Sequence, residues 1–388
     1  MPEIHSTISP SASKRWLSCP PSLRLEEQFP DKGGNFAAEG TYAHAMAEYI
    51  MRRFVKGTPN PDDLTGFDTD NEFYSEAMVE YVHQYTDLCC EKVTAARKAD
   101  KYAACLVEQT LHFDNVAPGG FGTGDMVIIA DNELNIVDLK YGKGVPVSAE
   151  HNTQLQLYAL GAIEQFGFAY DFDQVRMTIV QPRNGGVSEQ VMTVDELTEW
   201  GEKVKIIAAL ALQGKGEFKA GDHCRFCKAA PRCKTLADYN LSLAKLEFKD
   251  VTLLTDEEIA DVLGRVDNLK HYADMIADYA LKEAVAGRHK WPGYKLVEGR
   301  SRRVYKDPDA VMDHLANTGM KPAEFLKPPE LKTITDLTKQ LGKKKFESLL
   351  GDYIERPQGK PTLAPVDDKR PEFVPNEDDF EDLDAEKE

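Results

Sequence analysis

The chain has 388 residues, enough for a full-sized core and for two or three domains. Hydrophobic residues make up 42% and charged residues 29%, as in ordinary globular proteins, and no stretch approaches the roughly 20 apolar residues of a membrane helix. The formal net charge of −18 disfavours a polyanionic partner, but it is unevenly placed. Between 367 and 388 eleven acidic and three basic residues contribute −8, whereas between 290 and 306 Lys290, Lys295, Arg300, Arg302, Arg303 and Lys306 face only Glu298. Nucleic acid therefore stays open as a partner. The first residues, MPEIHSTISPSASKRW, lack the apolar run of a secretory signal, and seven cysteines argue against a disulfide framework. Both features predict a cytoplasmic protein with reduced thiols and no membrane partner.

Residues 11–17 read as a short helix stopped by Cys19-Pro20-Pro21. A longer helix is expected over 37–54, carrying His44 and Glu48 one turn apart. An amphipathic helix follows over 72–98, with Met78, Tyr81, Val82, Tyr85 and Leu88 on its apolar side. Three strands come next, 105–113, 125–130 and 134–141, the last two close enough across 131–133 for a hairpin. Residues 148–166 have a helical pattern and 175–180 form a fourth apolar strand. This is a compact α/β unit. Beyond about 247 one long helix is expected through Ile259, Val262, Leu263, Val266, Leu269, Ile276 and Leu281, closed by Gly287. Two basic strand-like segments meeting at Gly299 and two short helical patterns, up to about Tyr353, complete a smaller α+β domain. The expected divisions are 1–244, 245–356 and an acidic disordered tail, 357–388.

In the hairpin, antiparallel pairing sets residue 125 opposite a position between 138 and 140, and side chains 138 and 140 share a face. Asp125, Asp138 and Lys140 thus converge. Two close carboxylates make a hard oxygen site for Mg2+ or Mn2+, and a neighbouring lysine can hold an attacking water or steady a phosphate. The same pattern is also common in solvated hairpins. Gln154 and Tyr158, spaced i and i+4 on the following helix, face the patch, and His44 offers an imidazole. Glu108, on the strand before, is a further acidic candidate whose direction nothing in the sequence fixes.

Cys224-Arg-Phe-Cys227 with Cys233 is a tight, turn-rich cluster that needs a fourth ligand, and Cys19 stands in a comparable Cys-Pro setting. Four thiolates bind tetrahedral Zn2+ or an iron–sulfur cluster, and spacing does not separate the two. Cys89, Cys90 and Cys105 fall in helix and strand patterns and read as small core residues.

The order His44, Gly122-x-x-Asp125, Asp138-Leu139-Lys140, Gln154-x-x-x-Tyr158 resembles the RecB-like branch of the PD-(D/E)XK nucleases over residues 11–240. Glycine precedes the first acid here, where the superfamily motif has proline. The resemblance implies a restriction-endonuclease-like core, a mixed sheet flanked by helices, with metal held by His44, Asp125, Asp138 and the Leu139 carbonyl. It further implies that Lys140 assists the water and that Gln154 and Tyr158 orient the site. The cysteines resemble those of iron–sulfur members such as the AddB nuclease domain and the nuclease of CRISPR adaptation. There Cys19, Cys224, Cys227 and Cys233 would hold a [4Fe-4S] cluster. The whole chain is similar to an uncharacterised family of phage and prophage proteins. The expectation is a metal-dependent DNA exonuclease of phage recombination, repair or replication, in a bacterial or phage-infected cell, with a recombination or single-strand-annealing protein as partner. The alternative is a catalytically silent DNA-binding scaffold acting through its C-terminal domain and tail.

Overall fold

The computed structural model describes residues 6–29, 35–184, 186–244, 255–297 and a discontinuous set between 310 and 354. A mixed five-stranded sheet lies at its centre in the order β1 (Ala104–His112), β2 (Phe121–Ala130), β3 (Glu133–Leu139), β4 (Gln174–Gln181), β5 (Gly186–Thr193). Neighbours are antiparallel except β3 and β4. A parallel pair needs a crossover, supplied here by a helix over Thr153–Phe166. Asp131 and Asn132, with φ of 50° and 57°, make the left-handed pair of a two-residue hairpin turn. From that turn the register runs to Met126 opposite Val137, which by continuation sets 125 opposite 138.

In chain order the helices are α1 (Ser13–Ser18), α2 (Ser22–Glu26), α3 (Asn35–Val55), α4 (Glu76–Ala99), the crossover α5, α6 (Val194–Leu212), α7 (Lys234–Ala244), α8 (Asp256–Val285) and α9 (Lys343–Leu350). One sheet face packs Met126, Ile128, Val137 and Leu139 against α3 and α4. The other packs Val127, Ile129, Leu134 and Ile136 against Leu155, Ala159 and Ala162 of α5. A third core joins the start of the chain to α6: Trp16, buried among Ile8, Phe113, Val204 and Ala208, donates its indole N–H to the Ser9 carbonyl at 3.0 Å.

The sequence patterns miss β5 and α6. Among the residues of β5, Val187 and Val191 are exposed, so an edge strand carries little apolar signal. For α6 a signal existed: Thr193 and Glu196 form a reciprocal capping box, the Glu196 N–H donating to Thr193 Oγ1 at 3.2 Å and the Thr193 N–H to Glu196 Oε2 at 2.9 Å. In the C-terminal part, Thr255 and Glu258 cap α8 the same way and Gly287 follows its end at φ 71°. The basic segment 290–297 has no strand among the described residues, while 298–306, with the expected meeting point at Gly299, and the acidic tail lie outside them.

Strand β2 starts four residues earlier than its apolar run because two glycines open it. A Cβ on Gly122 would lie 2.8 Å from Pro10 Cγ and 2.9 Å from Tyr158 Cε1, so glycine is what lets α5 and the N-terminal segment close on the sheet. Gly122→Ala is expected to destabilise the fold by about 1–3 kcal/mol through overpacking. Gly142→Ala, with nothing within 4 Å of the added atom, should change little. Paired denaturation midpoints check this, and equal midpoints would contradict the packing argument.

Candidate metal centre and thiol pocket

Period-two alternation fails at one place in the sheet, and the site is built there. Cys105 and Val107 pack into the α3/α4 core and Ala104 and Leu106 into the α5 core, so strict alternation sends Leu111 to the former; it lies in the latter. Glu108 absorbs the offset with φ of 51°, a left-handed conformation costing a non-glycine residue about 1–2 kcal/mol. Opposite it, Asp125 also drops out of the ladder: Val107 pairs with Met126 and Gln109 with Gly124, but 108 and 125 do not pair. Counting back from Val127 would aim Asp125 at α5. Instead its Oδ1 lies 3.4 Å from His44 Nδ1 on α3. Glu108 turns to the same spot, and one ligand atom from each of His44, Glu108 and Asp125 lies within 4.8 Å of the others.

Asp138 and Lys140 lie on the α5 side. Gln154 accepts from Lys140 Nζ through Oε1 at 2.8 Å and donates through Nε2 to Asp138 Oδ1 at 3.3 Å and Tyr158 Oη at 3.0 Å. Asn152 caps α5 by accepting from the Gln154 and Leu155 N–H groups, which fixes the turn that carries Gln154. Lys140 Nζ also sits 2.8 Å from Asp138 Oδ2 as an ion pair without hydrogen-bond alignment. That oxygen has no hydrogen-bond partner although Asp138 is only 2% exposed. Between the two halves, Asp125 Oδ2 accepts the Leu139 N–H at 2.7 Å. A strand residue directs its N–H and C=O to the same side, so the Leu139 carbonyl also faces Asp125.

The electrostatics are those of a crowded acid site. Burial raises the carboxyl of Asp125, but the imidazole of His44, the Leu139 N–H and Lys140 outweigh it and hold the group below the usual range. Asp138 is held above that range by burial, against the pull of Lys140 and with repulsion from Asp125. Burial followed by Asp125 pushes Glu108 up to about 8. For His44 burial alone would lower the value, but the carboxylate of Asp125, with Asp138 behind it, raises it to about 9. Burial raises the Tyr158 phenol, which stays protonated. His44 and Glu108 thus carry protons at neutral pH that a divalent cation would displace.

The donors fit such an ion. His44, Glu108 and Asp125 converge, and Asp138, whose Oδ2 is held in the ion pair with Lys140, adds a further carboxylate nearby. An imidazole among carboxylates suits Mn2+ better than Mg2+, which prefers an all-oxygen octahedron.

Cys19, Cys224, Cys227 and Cys233 line a second pocket together with Arg15, Leu25, Phe218 and Leu236. Burial raises the thiols of Cys224 and Cys227, the latter to about 12. Tetrahedral zinc, with Zn–S near 2.3 Å, draws its sulfurs to about 3.8 Å of one another. Among the described residues no three of these sulfurs lie within 4.8 Å, a spacing wider than a single ion asks for. Not foreseen from sequence is an ionic clasp beside them. Arg15 pairs with the buried Glu26 at 2.7 Å, Glu26 Oε1 accepts the Lys228 N–H at 2.6 Å, and Arg15 Nη1 donates to the Phe226 carbonyl at 3.2 Å. The direction of Glu108 was equally hidden, since its only trace is the pair of glycines inside β2.

No helix among the described residues is long and apolar enough to cross a membrane. Among solved structures, the chain is similar to the crystal structure of SSO0001 at 15% identity and a TM-score of 0.26, over 60% of this chain and 88% of that one. The family described as "Protein of unknown function (DUF2800)" matches residues 5–371, and the chain belongs to that family.

Proposed function

We propose that this protein is a divalent-metal-dependent DNA nuclease with the PD-(D/E)XK core of the RecB-like branch, the two ends of its nuclease domain clasped by a [4Fe-4S] cluster at Cys19, Cys224, Cys227 and Cys233. The observation that carries the reading is the junction at Asp125. One oxygen of this carboxylate meets His44, with Glu108 alongside, and the other binds the Leu139 N–H next to the Asp138–Lys140–Gln154 chain. His44, Glu108, Asp125, Asp138 and the Leu139 carbonyl would hold Mn2+ or Mg2+. Such an ion supplies a polarised water and neutralises a phosphate oxygen.

Lys140 holds the attacking water or balances the charge that develops on the phosphate. Gln154 keeps the ammonium in place, and Tyr158 keeps Gln154 in its rotamer. The thiol cluster has a structural role, because hydrolysis transfers no electrons. DNA is the substrate, exonucleolytic cleavage in phage recombination, repair or replication is the activity, and a recombination or annealing protein is the partner.

Asp138→Asn and Lys140→Ala should each lower Mn2+-dependent cleavage of end-labelled DNA by about 10²-fold or more while DNA binding persists. Full cleavage by both variants sinks the nuclease reading. Glu108→Gln should weaken Mn2+ binding by about tenfold or more in calorimetry; wild-type affinity would remove Glu108 from the ligand set. Anaerobically purified protein should be brown and contain iron and sulfide in equal amounts, and Cys19→Ser should bleach it and lower its thermal midpoint. Stoichiometric zinc in place of iron would replace the cluster in this reading.

A further inference from the structure

The connection from Lys140 to α5 begins Tyr141-Gly-Lys-Gly-Val-Pro146, and Gly142 to Pro146 are exposed. Its carbonyls are tied back. Buried Gln181, at the end of β4, donates through Nε2 to the Gly142 carbonyl at 3.0 Å and the Val145 carbonyl at 2.9 Å, and its Oε1 accepts the Val147 N–H at 2.9 Å. Asn184 donates to the Lys143 carbonyl at 2.9 Å. Arg183 lies over the Tyr141 ring at 4.5 Å and pairs with Glu39 of α3 at 2.7 Å. The loop is therefore braced by four hydrogen bonds to Gln181, at the end of β4, and Asn184, in the β4–β5 turn.

That leaves the amides. The N–H groups of Gly142, Lys143, Gly144 and Val145 meet no acceptor among the described residues. Nothing lies within 4 Å of where a Cβ would stand on Gly142 or Gly144, so the backbone can be approached closely. Lys143 adds an exposed ammonium. With three of its four carbonyls occupied, four amides unpaired and one cation, the loop presents a surface dominated by donors. The complement of a donor-rich, cationic surface is an anionic acceptor, and among biological ligands that is foremost a phosphate.

We infer that residues 142–145 are a phosphate-binding loop that grips the nucleic-acid backbone at a phosphate neighbouring the one presented to Lys140. The inference rests on the nuclease reading and extends it to the strand that feeds the site. Backbone amides and a lysine contact phosphates without reading bases, so the grip is independent of sequence. The cation contributes through counterion release, and the amides contribute without it.

The test uses the full chain, without divalent metal so that nothing is cut, and labelled single-stranded and duplex oligonucleotides across a salt series. Lys143→Ala should lower the slope of log affinity against log salt by about 0.7 on single strands or about 0.9 on duplex. Gly144→Pro, which deletes one N–H, should weaken binding several-fold with the slope unchanged. Lys203→Ala, a charge-matched change on the exposed face of α6, should retain the wild-type slope. A wild-type slope in Lys143→Ala overturns the loop, and if wild type still cleaves DNA with Mn2+ the nuclease reading stands. A slope lowered as expected in a protein that cleaves nothing overturns the nuclease reading and supports the loop. Wild type that binds neither oligonucleotide overturns both.

Discussion

Two carboxylates on adjoining strands, Asp138 buried and Asp125 half-buried, set the terms for everything around them. At an effective dielectric constant of about 20, unit charges 5 Å apart repel by about 3 kcal/mol, and burial adds a desolvation cost for each. The fold answers by separating them. A register that would place Asp125 and Asp138 side by side is broken at Glu108 and Asp125, so that one acid turns to α3 and the other stays toward α5. Each then finds its own counter-charge, His44 or Lys140, and the Leu139 N–H holds the boundary. The strained backbone of Glu108 is the local cost of this separation.

How much of this was readable in the sequence depends on whether the partners are joined by local periodicity. Asp138 with Lys140 follows strand alternation, Gln154 with Tyr158 follows the helical repeat, and all four are linked in the structure. The α/β order, the hairpin and the helix after it were legible for the same reason. Glu108 was not, because its direction depends on a break in alternation whose only trace is the pair of glycines on the neighbouring strand. Nor was the brace on the 142–145 loop, because Gln181 and Asn184 read as ordinary polar residues leaving a strand.

The thiol pocket and the ion pair beside it act on one joint. Glu26 ties α2 to residue 228 and Arg15 ties α1 to residue 226, contacts spanning about two hundred residues of chain. Removing one partner from a buried pair is strongly destabilising, so this clasp holds the pocket together by itself. Its influence reaches further than the pocket. Ser13, the first residue of α1, shares a 2.6 Å hydrogen bond with Thr153, the first residue of α5, which carries Gln154. The position of the cysteine-bearing segment and the position of the residue that steadies Lys140 are therefore mechanically linked.

An edge strand with half its side chains in solvent contributes little apolar burial, yet β5 has a definite part in the site. Ser188 Oγ accepts the Ala149 N–H at 3.0 Å and Gln190 Oε1 the His151 N–H at 2.7 Å, immediately before the Asn152 cap. With Gln181 and Asn184 holding residues 142–147, the chain between Lys140 and Gln154 is pinned at both ends. A free connection of this length would let α5 shift by more than the tolerance of a 2.8 Å contact. The hydrogen bond from Lys140 to Gln154 can therefore be short because a strand that looks dispensable to the core fixes the path between them.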